Sequence, residues 1–143
     1  MKVKVTPSKV HGNVKIPASK SMAHRALICA SLSDGTSIVS NVTNSKDIEA
    51  TVGCMKALGA IIKQIDETTY EVTGTNLFKQ EGNITCNANE SGSTLRFLIP
   101  LAACTNAKVK FLGQGRLLQR PMDVYENEFK KQNIEFNQSD KEI

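Results

Sequence analysis

Tryptophan is absent from the sequence, and aromatic residues make up only 5% of its 143 residues. Proteins that bind single-stranded nucleic acids stack the bases on aromatic side chains, and duplex binders gather basic residues on one face. The net charge here is a mild +4, from 18 Lys+Arg and 14 Asp+Glu. We therefore expect no nucleic-acid partner.

Long apolar runs are missing as well. No stretch approaches the ~20 apolar residues that cross a bilayer, and residues 1–17 alternate charged and apolar positions, unlike the core of a signal peptide. We expect no membrane partner and a soluble, cytoplasmic protein. Hydrophobic residues nevertheless form 40% of the chain, which is enough for one domain or two small ones.

Cysteine pairs with metal-ligand spacing are also absent. The four cysteines are Cys29, Cys54, Cys86 and Cys104, and they form no CxxC pair with each other. A zinc site or a disulfide framework needs closer spacing. The pattern favours reduced cysteines that are buried as small hydrophobic residues.

Apolar periodicity and turn residues predict an α/β chain. Strands are predicted at residues 3–5, 14–16, 36–42, 61–65, 69–73, 83–87, 108–112 and 134–136. Helices are predicted at residues 19–33, 45–58, 91–104 and 120–132, and either Asn44 or Ser45 can cap the second of them. Pro100 lies inside the third helix and should kink or shorten it.

The order of these elements repeats along the chain. Arg25 occupies the same position in the first unit as Arg96 in the second, and Asp47 and Asp123 each open a second helix. We therefore predict two βαβαββ units, at residues 13–75 and 76–143, the second of them incomplete. Residues 1–12 form a separate strand segment in this prediction.

The first predicted helix begins with a concentration of polar chemistry. Lys20, Ser21, His24 and Arg25 fall within one arc of its first two turns, whereas residues 26–33 carry no charge and should be buried. Two cations at the N-terminus of a buried helix favour an anionic ligand, since the free N–H groups and the helix dipole attract one too. The alternatives are a solvated helix start and a packed histidine.

The third helix and the last one begin in a related way. Ser91 can cap the third helix, Gly92 leaves its backbone accessible, and Arg96 repeats the position of Arg25. The loop at residues 113–121 could place Arg120 over the other helix starts, although a solvated arginine is the simpler interpretation. Asp47 is either a cap or a partner of a nearby arginine.

Three segments together resemble a known family. They are residues 17–27 (PASKSMAHRAL), 90–96 (ESGSTLR) and 119–122 (QRPM). In this order they resemble 5-enolpyruvylshikimate-3-phosphate synthase, or 3-phosphoshikimate 1-carboxyvinyltransferase. The resemblance implies the enolpyruvyl transferase fold, in which each of two lobes holds three βαβαββ units. This chain would be part of one lobe.

The resemblance also implies an activity. The family transfers the enolpyruvyl group of phosphoenolpyruvate to the 5-hydroxyl of shikimate 3-phosphate and releases phosphate, on the route to chorismate and the aromatic amino acids. The reaction is an addition followed by an elimination, and it needs no metal or other cofactor.

The family's site residues carry over by motif. Lys20 would contact both substrates, and Lys20 and Asp47 would act in catalysis. Shikimate 3-phosphate would be bound by Ser21 and Arg25, and phosphoenolpyruvate by Gly92 and Arg120. The site would be shaped by Glu90 and Arg96. Glu90 and His24 stand where many members have Asn. The extra carboxylate of Glu90 should alter the affinity for phosphoenolpyruvate and for glyphosate, a competitor in this family.

Members of the family are considerably longer than this chain. The implied partners are therefore the two substrates and a second lobe, and we expect the 143 residues alone to be inactive. One alternative is UDP-N-acetylglucosamine enolpyruvyl transferase. In that family the first helix begins with Gly-Lys-Asn, and the loop before Arg-Pro carries a cysteine. This chain has Ser19-Lys20-Ser21 and no cysteine at residues 113–121. A non-catalytic fragment that binds a phosphorylated ligand is the other alternative.

Overall fold

A computed structural model describes residues 2–9, 11–14 and 16–143. It has an α/β fold, as predicted, with a short 3-10 helix at Leu77–Lys79. The other elements are, in chain order, α1 (Lys20–Leu32), β1 (Thr36–Val39), α2 (Lys46–Ala57), β2 (Ile61–Gln64), β3 (Tyr70–Thr73), β4 (Glu81–Asn87), α3 (Gly92–Ala102), β5 (Asn106–Leu112) and α4 (Asp123–Lys131).

The strands form two small sheets. In the first, β3 lies between β1 and β2 and is antiparallel to both, so that Thr73 faces Thr36 on one side and Ile61 on the other. In the second, β4 and β5 run parallel from the pair Glu81–Asn106 to the pair Asn87–Leu112. Parallel neighbours require a crossover connection, and α3 supplies it.

Three helices share one hydrophobic core with the sheets. Leu27 of α1, Ile48 of α2 and Leu95 of α3 are fully buried in the same cluster. Each such side chain contributes about 1.5–3 kcal/mol when it leaves water. The common core fixes the N-terminal ends of α1, α2 and α3 relative to one another, and this is what positions the site described below.

Serine caps set the starts of these three helices. The hydroxyl of Ser19 accepts from the backbone N–H of Met22 at 3.4 Å, and Ser45 accepts from Ile48 at 3.3 Å. Ser91 accepts from Thr94 at 3.2 Å. A side-chain oxygen at this position satisfies one of the free N–H groups of the first turn. The helix starts predicted at Ser19, Ser45 and Ser91 are therefore confirmed.

The predicted N-terminal strands do not form. Residues 2–9 contain no strand, and Val3 and Val5 are 71% and 84% exposed because no partner strand covers them. Of the strand predicted at residues 14–16, Lys15 lies outside the described residues, while Val14 and Ile16 are exposed and outside any strand. An alternating pattern needs a hydrogen-bonded neighbour to become a strand.

The C-terminal part also differs from the prediction. The last helix begins at Asp123 and not at Arg120, because Leu117 and Leu118 turn into the core just before it. Residues 134–136 form no strand, although Ile134 and Phe136 pack against the core. Instead, Phe111 of β5 exchanges two backbone hydrogen bonds with Ile143, at 2.7 and 3.0 Å.

Two further predictions need correction or refinement. All four cysteines are free, but Cys29 and Cys104 are exposed, so burial was predicted correctly for Cys54 and Cys86 only. Helix α3 continues past Pro100 for two residues and ends at Ala102, slightly earlier than predicted.

Candidate functional site

A cleft of about 410 Å³ lies where α2, α3 and the loop before α4 meet. Its lining residues are Asp47, Glu90, Gly92, Ser93, Arg96, Phe97 and Arg120. Asp47 comes from the first turn of α2, the residues from Gly92 to Phe97 come from the first turns of α3, and Arg120 precedes α4. Five of the residues that the sequence singles out are thus brought together here.

The positive charges of the two cleft arginines are not paired with a carboxylate among the described residues. Within residues 2–9, 11–14 and 16–143, neither Arg96 nor Arg120 lies within 4.0 Å of a carboxylate oxygen. Both residues are exposed, and they flank the N-terminal end of α3, whose free N–H groups carry partial positive charge. Such a cleft attracts phosphate or carboxylate groups.

Arg120 lies directly over the first residue of α3. Its guanidinium Nη1 occupies the space into which a Cβ on residue 92 would project. Only glycine leaves this space open, because every other residue carries a Cβ there. The sequence suggested that Gly92 lets a ligand approach the backbone. In the structure, the side chain of Arg120 uses that space.

The loop that carries Arg120 is held from two sides. The side-chain amide of Gln138 donates to the carbonyls of Leu118 and Arg120, at 2.6 and 3.0 Å. The backbone N–H of Gln114 donates to the carbonyl of Asn89 at 2.6 Å, next to the start of α3. Leu118 is buried and anchors the turn. These contacts limit the positions that Arg120 can take.

Lys20 of α1 connects to the cleft through Asp47. Its ammonium lies 2.6 Å from a carboxylate oxygen of Asp47, and the two side chains are 55% and 31% exposed. Asp47 was expected to be a cap or the partner of an arginine, and both expectations are wrong. Ser45 is the cap of α2, and the partner is a lysine.

Arg25 reaches the cleft through an aromatic side chain. Its guanidinium carbon lies 4.8 Å from the ring centre of Phe97, which lines the cleft, and Nη1 donates to the backbone carbonyl of Ser21 at 2.8 Å. A cation over an aromatic face is attracted by the ring quadrupole. Ser21 itself is exposed next to this pair. The α1 residues therefore form a second cationic group beside the cleft.

Glu90 introduces negative charge at the rim. One carboxylate oxygen lies 2.5 Å from the position of a Cβ on Gly115, whose φ of 59° favours glycine. Glu90 therefore packs over the loop at Gly115 while it lines the cleft. In the part of the chain that the structure describes, it forms no ion pair with either cleft arginine.

His24 lies beneath the cleft and not in the exposed arc. It is fully buried, and its Nδ1 lies 2.7 Å from the hydroxyl of Thr51 on α2. From there hydroxyl contacts of 2.7 Å lead to Thr94 and on to Ser91, the cap of α3. The packed-histidine alternative is thus the one that the structure adopts, and the histidine links the three helix starts.

Burial also changes the acid–base behaviour of His24. The pKa of His24 is lowered from 6.5 because burial disfavours its charged form, and the nearby cations Lys20 and Arg25 act in the same direction. Asp47 opposes this lowering of the pKa; its effect is smaller than that of burial but larger than that of either cation. Nε2 is buried and has no hydrogen-bond partner among the described residues. We therefore treat His24 as neutral near pH 7.

Burial of residues 26–33 is less complete than predicted. Leu27, Ile28 and Ser31 face the core, whereas Ala26 and Cys29 are exposed. Helix α1 packs against α2, α3, β1 and β3, and the residues that face these elements are the covered ones.

Sequence reasoning left two cleft residues out of its site list, Ser93 and Phe97. Ser93 lies three residues before Arg96 and four residues before Phe97 on α3. Helical spacing back from Arg96 would therefore have identified Ser93, and spacing forward from Ser93 would have identified Phe97. The bond between His24 and Thr51 joins residues 27 positions apart in the chain, and no local pattern indicates it.

A known protein family matches nearly the whole chain. A profile described as EPSP synthase (3-phosphoshikimate 1-carboxyvinyltransferase) matches residues 4–143. The chain belongs to the EPSP synthase family. Within the matched range lie all three motifs, so that the family resemblance seen in the sequence is confirmed.

Named EPSP synthases include close relatives. The chain is 47% identical over 142 residues to a 3-phosphoshikimate 1-carboxyvinyltransferase of Clostridium perfringens, a match that covers 99% of this chain and 33% of the relative. It is 49% identical over 132 residues to the protein of the same name from Clostridium kluyveri, covering 92% and 30%. The chain thus spans about a third of the length of these relatives.

A solved EPSP synthase shows the same fold. The structure from Acinetobacter baumannii superposes with a TM-score of 0.72 at 19% identity, and the match covers 91% of this chain and 30% of that one. This likeness confirms the enolpyruvyl transferase fold. In the described parts of the chain, no helix is long and apolar enough to cross a membrane.

Proposed function

We propose that this chain supplies the anion-binding part of an enzyme that transfers the enolpyruvyl group of phosphoenolpyruvate to the 5-hydroxyl of shikimate 3-phosphate. The observation that carries the proposal is the cleft at the start of α3, where Arg96 and Arg120 keep their charge free of carboxylate partners within the described residues. Both substrates carry phosphate and carboxylate groups, which such a cleft attracts. Membership of the EPSP synthase family supports this choice of substrates.

Phosphoenolpyruvate fits the α3 side of the site in this proposal. The guanidinium of Arg120 and the N-terminal end of α3 at Gly92 face the same space. A planar guanidinium forms two parallel hydrogen bonds with a phosphate or carboxylate, and a helix N-terminus adds backbone donors. Arg96 and Glu90 shape the rim, where Glu90 restricts how much negative charge the cleft accepts.

Shikimate 3-phosphate fits the α1 side. Ser21 and Arg25 are exposed there, and Arg25 is held over Phe97 next to the cleft. Lys20 lies between the two groups of residues because it pairs with Asp47, which lines the cleft. This position suits a cation that contacts both substrates.

The chemistry assigns a catalytic role to Lys20 and Asp47. The 5-hydroxyl oxygen adds to C2 of phosphoenolpyruvate while a proton adds to C3, and the intermediate then loses a proton from C3 and phosphate from C2. The ammonium of Lys20 offsets negative charge on the phosphate as it leaves, and Asp47 orients that ammonium. Fixed charges of this kind stabilise a transition state without reorganisation during the reaction.

The remaining parts of the enzyme belong to the same proposal. The relatives are about three times as long as this chain, and we assign the further acid and base groups to a second lobe that closes over the cleft. We also assign the protein to the cytoplasm.

An NMR titration of the 15N-labelled chain tests the proposal. Shikimate 3-phosphate should shift the signals of Lys20, Ser21 and Arg25, and phosphoenolpyruvate should shift that of Gly92. Shikimate, which lacks the phosphate, is the control ligand for the first titration. If neither phosphorylated ligand shifts these signals, the proposal is wrong.

A pair of loop variants sharpens the second titration. Arg120→Ala removes the guanidinium over Gly92 and should weaken phosphoenolpyruvate binding at least about tenfold, since charged hydrogen bonds contribute about 1.5–3 kcal/mol. Arg116→Ala removes an exposed arginine of the same loop that does not line the cleft. It should bind as the parent chain does. If both variants lost the same amount of affinity for phosphoenolpyruvate, the net positive charge of the chain, and not the cleft, would be what attracts the ligand.

A further inference from the structure

We propose that Tyr125 is a positioning residue of the cleft, because its hydroxyl holds α4 against α3 at a carbonyl that Pro100 leaves free. The inference rests on the proposed function, since it concerns how Arg120 and Arg96 are placed for the same anions. Neither Tyr125 nor Pro100 lines the cleft.

Pro100 creates an opening in the hydrogen bonding of α3. In an α-helix the N–H of residue 100 bonds the carbonyl of residue 96, and proline has no N–H. The carbonyl of Arg96 therefore lacks its donor within the helix. The hydroxyl of Tyr125 donates to this carbonyl oxygen at 2.9 Å. Tyrosine thus replaces the missing backbone donor.

The ring of Tyr125 is held in place by other aromatic residues. It packs on Phe129 with ring centres 6.2 Å apart, and Phe129 packs edge-on against Phe136 at 5.7 Å. Phe129 is buried in the core. Because the ring is fixed, the hydroxyl points at α3 without a large loss of side-chain entropy when it bonds.

The hydrogen bond connects two parts of the cleft wall. Tyr125 lies in the first turn of α4, five residues after Arg120 in the chain. Met122 stands between these two residues in the sequence, and its side chain is buried. Arg96 belongs to α3, which begins at Gly92. Among the described residues, this is the one hydrogen bond that joins α3 to α4. It therefore limits how far Arg120 can move away from Gly92.

The test compares four chains by NMR without any ligand: the parent, Tyr125→Phe, Pro100→Ala and the double variant. The Nε–Hε signal of Arg120 and the amide signal of Gly92 report the contact between these residues. Tyr125→Phe should shift both signals and lower the urea midpoint of unfolding. Pro100→Ala should leave both signals unchanged, because the Arg96 carbonyl has two lone pairs and can accept from the new backbone N–H and from Tyr125 together.

The double variant separates positioning from simple stabilisation. In this variant, the backbone N–H that replaces the proline nitrogen satisfies the carbonyl of Arg96, so the urea midpoint should recover relative to Tyr125→Phe. The link between α3 and α4 stays broken, so the Arg120 and Gly92 signals should stay shifted. Signals that return to the parent positions together with the midpoint would overturn the inference, as would signals that Tyr125→Phe does not move.

Inorganic phosphate then measures the effect on binding. Tyr125→Phe and the double variant should both bind it roughly fivefold more weakly than the parent, as expected for one hydrogen bond. Tyr70→Phe is the matched control, because it removes a hydroxyl of β3 that bonds Asn44 in the loop before α2, and neither of these residues lines the cleft. This control should lower the midpoint and leave phosphate affinity unchanged. Unchanged affinity in Tyr125→Phe would contradict the inference.

The two proposals fail in different ways. If the parent chain does not bind phosphate or phosphoenolpyruvate at all, the proposed function fails. The ligand-free signals of Arg120 and Gly92 still decide whether Tyr125 positions the loop.

Discussion

The guanidinium of Arg120 fills the space that a side chain at Gly92 would need. The two residues belong to different segments, yet they form one surface because the loop before α4 folds back over the start of α3. The cleft is therefore sensitive to the addition of a single methyl group at position 92.

Gly92→Ala should weaken anion binding without unfolding the chain. The new Cβ would collide with Nη1 of Arg120, and the flexible arginine side chain would swing aside. We expect phosphate and phosphoenolpyruvate to bind about tenfold more weakly, because a displaced guanidinium loses charged hydrogen bonds. Isothermal titration calorimetry measures this change, and circular dichroism should show an unchanged helix content.

The control for this variant is another glycine to alanine change inside a helix. A Cβ on Gly53, in α2, would meet no atom within 4 Å. Gly53→Ala should raise the free energy of unfolding by about 0.5–1 kcal/mol and leave anion affinity unaltered. If Gly92→Ala bound phosphate as tightly as the parent, Arg120 would not be a ligand of the anion.

Asp47→Asn should tighten phosphate binding by roughly two- to fivefold. The change removes one negative charge from the cleft and frees the ammonium of Lys20, and a like charge a few ångströms from a bound anion costs several tenths of a kcal/mol in a wet environment. The ion pair is partly exposed, with the Lys20 side chain 55% and the Asp47 side chain 31% exposed, so the free energy of unfolding should fall by only about 1 kcal/mol. Titrations at low and high salt measure the electrostatic part.

Glu128→Gln provides the comparison for Asp47→Asn. It breaks the exposed pair between Glu128 and Lys131 on α4, whose N–O distance is 2.7 Å. It should cost a similar small amount of stability and should not change phosphate affinity. Weaker phosphate binding in Asp47→Asn would contradict this expectation, and would show that the orientation of Lys20 by Asp47 matters more for the bound anion than the negative charge that the variant removes.

His24 should make the stability of the chain depend on pH. Its pKa in the folded chain is below the ordinary value of 6.5, because burial outweighs the attraction of Asp47 and because Lys20 and Arg25 repel a further positive charge. Below about pH 6.5 the unfolded chain therefore takes up a proton that the folded chain does not, and stability falls as the pH decreases. His24→Asn should show a smaller loss than the parent between pH 7.5 and 5.0 in urea unfolding.

A second histidine variant separates this effect from the titration of carboxylates. His11 lies exposed in the N-terminal segment. His11→Asn should lose as much stability between the two pH values as the parent does. An equal loss in His24→Asn would mean that the buried imidazole does not couple folding to pH.

The 143 residues by themselves should show no turnover of shikimate 3-phosphate and phosphoenolpyruvate. The cleft is open, with Glu90, Arg96 and Arg120 all exposed, so water has free access to any bound anion. A coupled assay for released phosphate, on chain purified from a host that lacks its own enzyme, measures this. Reproducible phosphate release that Lys20→Ala abolishes would prove the expectation wrong.

Local sequence signals determined most of the elements. The caps Ser19, Ser45 and Ser91 and the apolar spacing behind them act within one or two helical turns, so they are legible in the sequence. The same holds for the motif residues Gly92 and Arg120, which the sequence already connected with anions. What the sequence could not supply was a neighbour for residues 3–5, and without a neighbouring strand no strand forms there.

The sequence alone thus determined the α/β class, the helix starts and the family, because these depend on short-range patterns. The tertiary structure decided which distant residues meet: Lys20 with Asp47 across 27 positions, and Tyr125 with Arg96 across 29. Such contacts arise because α1, α2, α3 and Phe129 of α4 share one buried core, and the packing of that core is a property of the whole chain. The shared core is also the reason why charges from separate segments converge on one cleft.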